Sequence, residues 1–169
     1  KPAGDFRVLL VYPNLPLMLV PSLAIALFTR IMKNQGYQVE LFDTTHYVSE
    51  DAPISPKNRI KFLQYRKFSE ANDLGITMKE NLLADFRQKV ASMKPDLLIF
   101  SVVEDAFLKA VRMLEAIKDF EIPHILGGVF PTAAPDRCME FPVIRMIGQG
   151  EGERTILRLA EAIRNGLSL

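Results

Sequence analysis

The stretch HILGGVFPTAAPDRCMEFPVIRMIGQGEGERT, residues 124–155, decides how the chain is read. A short apolar run ends in Gly127 and Gly128, and a second, VIRMI at 143–147, runs into Gly148, Gly150 and Gly152 with acids interleaved. Glycine has no Cβ, so clusters at strand ends let the backbone turn sharply or let a ligand lie against the main chain. A strand, a short turn or helix near Pro135 to Glu140, a second strand and a closing helix make this stretch part of an α/β layer.

Working outward, the same rhythm holds. RVLLVY, residues 7–12, is apolar without alternation, as expected of a parallel strand covered on both faces. After the loop PNLPLMLVP, Ser22 caps a helix running to about Gln35, with Gly36 as its stop, and YQVELFD at 37–43 is a second strand. In MKENLLADFRQKVASM, residues 78–93, Leu82, Phe86 and Val90 recur every four positions with Leu83 beside them, which predicts an amphipathic helix ended by Pro95. LLIFS at 97–101 is the third strand, AFLKAVRMLEAIKDF at 106–120 a helix, HILGG the fourth strand, VIRMI the fifth, and GERTILRLAEAIRN at 152–165 a helix stopped by Gly166.

Five strands alternating with helices predict a flavodoxin-like (Rossmann-like) doubly wound parallel sheet of order 2-1-3-4-5, with helices on both faces. Ligands of such sheets lie beyond the carboxyl ends of the strands where the winding reverses. Here that is between strands one and three, with strands four and five adding their glycine loops. The segment from 44 to about 77 interrupts the pattern and reads as an insertion. Its Lys57, Arg59, Lys61, Arg66 and Lys67 with Phe62, Tyr65 and Phe68 suit a solvated helix with a few buried aromatics better than a docking face.

At 169 residues and 49% apolar, the chain is sized for a single domain spanning 1–169 with one core. Lys plus Arg number 21 against 20 Asp plus Glu, so no overall field draws it to nucleic acid or an anionic membrane. One cysteine, Cys138, excludes an internal disulfide framework or a cysteine-built metal cluster, reads as a packing residue, and suits a reducing, cytoplasmic setting. LPLMLVPSLAIALF, residues 15–28, contains two prolines and is too short for a membrane span of about 20 residues. The chain begins at Lys1 without a methionine and is read as a piece excised from a longer protein.

The residues at the carboxyl ends of the strands do little acid–base or nucleophilic chemistry: Tyr12, Pro13 and Asn14; Asp43; Ser101 to Glu104; Gly127 to Phe130; Gly148 to Gly152. A GxxxxGK[ST] phosphate loop is missing, and strand one lacks GxGxxG, which disfavours a nucleotide-binding domain. Receiver domains need an acidic pair where this chain has PNLP. Glu151 and Glu153 suit the positive end of the last helix and would repel an added anion. The loop is then either a set of backbone donors for a neutral polar group or a tight turn. What remains is an apolar crevice with main-chain amides and little charge, suited to a large, flat, mostly uncharged ligand.

These residues resemble the N-terminal cobalamin-binding domain of cobalamin-dependent radical S-adenosylmethionine enzymes, over nearly the whole chain. VYPNLPLMLVPSLAIALFTRIMKNQGYQVELFD resembles that family's opening, KPDLLIFSV its third strand, and GGVFPTAAPDRCMEFPVIRMIGQGEGE its most specific segment. The resemblance implies cobalamin, with the corrin over the carboxyl ends of the strands and its nucleotide tail in the crevice. Ser101 and Val102 would face the tail, while Gly127, Gly128, Val129, Phe130 and Pro131 would lie against the cofactor. Gly150, Glu151 and Gly152 would close the far side, and Asn14 would be a rim contact.

Two departures from that family matter. The DxHxxG with which classical cobalamin domains put an imidazole on cobalt is absent after strand one, so His46 reads as a surface residue, His124 as structural, and no histidine of this chain is expected on cobalt. CxxxCxxC is also absent, so S-adenosylmethionine and an iron–sulfur cluster would belong to a C-terminal catalytic domain outside this chain. The parent enzyme would then carry out methyl transfer or a related radical reaction. The alternative is a docking module of the same fold that has lost the cofactor, using the insertion and the loop Leu15 to Leu19.

Overall fold

The computed structural model describes residues 1–16, 18–20, 22–48 and 75–167. The basic and aromatic residues of the expected insertion, Lys57 to Phe68, lie outside the described residues. Four strands, β1 (Arg7–Tyr12), β2 (Gln38–Asp43), β3 (Leu97–Ser101) and β4 (His124–Gly127), form a parallel sheet of order β2-β1-β3-β4. Val8 pairs with Val39 on one side and Leu97 on the other, and Leu98 pairs with His124. The central strands are apolar on both faces because both faces are covered: Val8 to Val11 and Leu97 to Phe100 are buried.

Alternate residues feed two cores. Val8, Leu10, Ile99 and Ile125 meet α1 (Leu23–Asn34) and α6 (Glu153–Arg164) through Ile25, Met32, Ile156 and Ala160. Leu9, Val11, Leu98, Phe100 and Leu126 meet α2 (Leu82–Met93) and α3 (Phe107–Glu115) through Phe86, Val90, Met113 and Leu114. Ser22 caps α1 by accepting from the Ile25 amide at 3.3 Å, and Gly36 leaves it at φ 80°. In α2, Phe86, Val90 and Met93 face the core, while Leu83, expected beside them, is exposed.

The expected fifth strand is reduced to one bridge. Ile147 pairs with Leu126, through the Leu126 amide to the Met146 carbonyl at 3.0 Å and the Gly148 amide to the Leu126 carbonyl at 2.7 Å. Before the bridge the chain turns, the Ile144 amide donating to the Phe141 carbonyl at 2.9 Å, and the Val143 carbonyl lies 2.9 Å from His124 Nε2. Between β4 and this segment the chain forms two short helices, α4 (Val129–Ala133) and α5 (Pro135–Met139). Only the second was anticipated in the sequence.

Candidate functional site

At the carboxyl edge, Ser101 and Gly127 are the last paired residues of β3 and β4. Gly128 follows at φ 111° and ψ −169°, a conformation side-chain-bearing residues rarely adopt. A Cβ there would lie 2.6 Å from the Val102 carbonyl oxygen and 2.8 Å from its nitrogen. Gly128 is therefore a glycine because the turn packs directly on the backbone of Val102, itself fully buried. The Val102 amide donates to the Gly127 carbonyl at 2.8 Å, and the Phe130 amide donates to the Val102 carbonyl at 3.3 Å.

Gly127 is different. A Cβ on it would meet only the Phe100 and Gly148 carbonyl oxygens, at 3.9 and 4.0 Å, which is ordinary contact. The space it leaves open belongs to a cavity of about 610 Å³. Its floor is Ile99, Ser101, Ile125 and Gly127; α1 contributes Leu23, Ala24, Leu27 and Phe28; and the loop 148–152 with the start of α6 closes the far side. This volume falls within the ~300–1,000 Å³ of small-molecule and cofactor sites, and its walls are mostly apolar.

The two glycine loops are joined by Thr132 of α4, whose Oγ1 donates to the Gly128 carbonyl at 2.8 Å and accepts from the Gly150 amide at 3.1 Å. Gly150 has φ 70°. The amides of Gly148 and Gly150 are both satisfied within the protein, so neither is left over as a donor for a ligand. Glu151 and Glu153 flank the cavity, Glu153 in the first turn of α6. Their charge suits the helix end and opposes a second anion.

Of the residues singled out from sequence, Ser101, Gly127, Gly128, Val129, Gly150, Glu151 and Gly152 line this cavity. Val102, Phe130, Pro131 and Asn14 are not among its lining. Val102 is spent on the backbone packing just described, Pro131 is buried, and Phe130 turns to the opposite core with its ring 4.8 Å from that of Phe107. The chain after Gly128 coils into α4, a helix the sequence had not suggested. The cavity also sits one strand over from the expected place, above β3 and β4 and not between β1 and β3.

Asn14 is 5% exposed and ties loops together. Its Nδ2 donates to the Met18 carbonyl and to Thr45 Oγ1, both at 2.8 Å, and its Oδ1 accepts from the Leu15 amide at 2.9 Å. Its carbonyl accepts from Thr44 Oγ1 at 2.9 Å and from the buried Lys109 Nζ at 2.6 Å. Sequence reasoning missed Lys109. The signal was a lysine on the α3 face of Ala106 and Met113, three residues after one and four before the other, where a solvated charge does not belong.

His124 is buried at the start of β4, with Nδ1 3.1 Å from the Ile122 carbonyl and Nε2 on Val143. His46 is exposed. Cys138 is buried, and loss of solvent pushes its thiol pKa up, as suits a packing residue. Among the described residues, no three His, Cys, Asp or Glu are grouped to hold a metal ion, and no helix is long and apolar enough to cross a membrane.

No protein-family model matches the chain. Over 83 residues, 47% of its length, it is 35% identical to the anaerobic magnesium-protoporphyrin IX monomethyl ester cyclase of Rubrivivax gelatinosus, of which it covers 15%. Among solved structures it is similar to the radical S-adenosylmethionine methyltransferase TsrM from Kitasatospora setae. One structure has tryptophan and an S-adenosylmethionine analogue bound, the other cobalamin and a [4Fe-4S] cluster. Each aligns with TM-score 0.67 at 20% identity over 96% of this chain, and the chain spans 26% and 27% of them. At that identity the likeness establishes the fold, in keeping with the resemblance read from the sequence.

Proposed function

We propose that the chain is the cobalamin-binding module of a radical S-adenosylmethionine enzyme. Gly127 carries the reading: packing does not require a glycine there, whereas a side chain would enter the cavity. The residues suit the group. Apolar walls from Leu23, Leu27, Phe28 and Ile125 would take the base of the nucleotide tail, with the Ser101 hydroxyl beside them, while the broad edge above the strands carries the corrin. When bound, cobalamin supplies a cobalt centre for methyl transfer or a related radical reaction. S-adenosylmethionine and an iron–sulfur cluster would belong to a catalytic domain elsewhere in the whole protein. The fuller flavodoxin-like description follows from the same reading, with 143–147 in the place of a fifth strand.

This chain's own part is to bind, orient and exclude water. His124 is not placed to reach cobalt: it stands at the opposite end of a four-residue strand, about 10 Å from Gly127 at 3.3 Å per residue, with both ring nitrogens on carbonyls. A nucleotide-binding reading is opposed by Glu151, Glu153 and the internally satisfied amides. The docking reading is favoured by one observation, the exposed Met18, Leu19, Val20 and Leu23 leading into α1.

The test is to mix the protein with hydroxocobalamin, desalt, and record the visible spectrum. Retained corrin is expected, and its absence would sink the proposal. Gly127→Val separates the two readings: it fits a strand backbone and puts a branched side chain into the cavity, so corrin retention should fall while folding is kept. A docking module would bind its partner unchanged. Gly128 cannot serve, because its substitution breaks the turn itself.

A further inference from the structure

We propose that Thr132 is a positioning residue whose hydroxyl staples the two glycine loops across the mouth of the cavity and sets the width of the slot a ligand enters. Thr132 lines the cavity and is the side chain seen to bridge its two sides, donating to the Gly128 carbonyl and accepting from the Gly150 amide. The two ends of the staple differ in stiffness. Gly128 is locked onto Val102 by contacts that leave no room for a Cβ, so it is a fixed anchor. Gly150 has nothing within 4 Å of where a Cβ would lie and is exposed at φ 70°, so neighbouring side chains do not hold it. The bond through Thr132 Oγ1 thus refers the loose loop to the rigid one.

Valine in place of threonine keeps the shape and removes both bonds, whereas serine keeps the hydroxyl and removes only the methyl. The inference rests on the cavity being a cobalamin site, and the experiment has one arm that does not. In the intact protein, Thr132→Val and Thr132→Ser are compared with wild type for hydroxocobalamin affinity. Deuterium exchange of the peptide spanning Gly148 to Thr155 is followed without cofactor.

The expected result is affinity reduced about tenfold in Thr132→Val, the worth of roughly one hydrogen bond, and restored to within about twofold in Thr132→Ser. Exchange in the peptide should be faster in Thr132→Val alone. Equal affinities in wild type and Thr132→Val, or equal losses in both variants, overturn the inference. If wild type holds no corrin, the cobalamin reading fails and the exchange arm decides the staple: unchanged exchange in Thr132→Val refutes it.

Discussion

Adjacent glycines at the cavity edge obey different physics, and substitution should separate them. Gly128→Ala forces a Cβ to 2.6 Å from the Val102 carbonyl oxygen in a backbone with φ 111°, so something in β3 or the turn must move. A cost of about 2–4 kcal/mol is expected, read from urea unfolding, against little change for Gly127→Val. Asn14 gives a second contrast. If it were a rim contact, Asn14→Ala would weaken ligand binding and leave stability alone. As the buried hub of three side-chain hydrogen bonds, it should lose about 2–3 kcal/mol without any ligand present, because the Met18 carbonyl and the Leu15 amide lose their partner.

At the scale of elements, the turn after β2 is fastened to α2 by Tyr47. Its ring stacks on Phe42 with centroids 5.8 Å apart, and its hydroxyl donates to Asp85 Oδ2 at 2.9 Å. Burial first, then the bond and charge of Asp85, push the Tyr47 pKa up to about 12 from an ordinary 10. The folded state therefore holds this proton more tightly than the unfolded chain. The stability it gives is complete below pH 10 and falls as pH rises from about 10 to 12, by no more than about 3 kcal/mol. Denaturant melts across that range should show the decline, and Tyr47→Phe should flatten most of it. A smaller slope from Tyr12 would remain, since its hydroxyl pKa is also raised, by burial and by Asp43.

The elements themselves were legible wherever hydrophobic period and caps agreed. Ser22 and Gly36 bracket the first helix, and the unbroken apolar runs of β1 and β3 announced burial on both faces. VIRMI has the same composition as a strand but makes only one bridge; its start is tied into a turn by the Ile144 amide on the Phe141 carbonyl, which composition does not report. No helix was expected over VFPTA, yet Val129–Ala133 is one, with Pro131 in its first turn, where proline is tolerated. Within the site, glycine positions were readable because backbone geometry is written in residue type. The bonds of Asn14 and Lys109 were not foreseen because their partners, Thr44 and Thr45 for one and Asn14 for the other, lie 30 or more residues away in sequence.

For the molecule as a whole, the question is what chemistry the cavity selects. Helices α1 and α6 cover one face of the sheet and the cavity opens between their ends, so whatever enters is bounded by leucine, isoleucine and phenylalanine and flanked by Glu151 and Glu153. A ligand held by its phosphates should be rejected, and ATP should not compete with a bound corrinoid. A corrin held partly by its nucleotide tail should lose affinity when the tail is absent. Burying about 100–150 Å² of apolar base surface at ~25 cal/mol per Å² gives about 3 kcal/mol, or roughly 100-fold. Titration with cobinamide, which lacks the tail, should therefore show affinity lower than that for hydroxocobalamin by about that factor. Gly127→Val should narrow the gap by removing the tail's advantage. Equal binding of the two corrinoids by wild type would mean that the cavity beneath Gly127 holds no part of the cofactor.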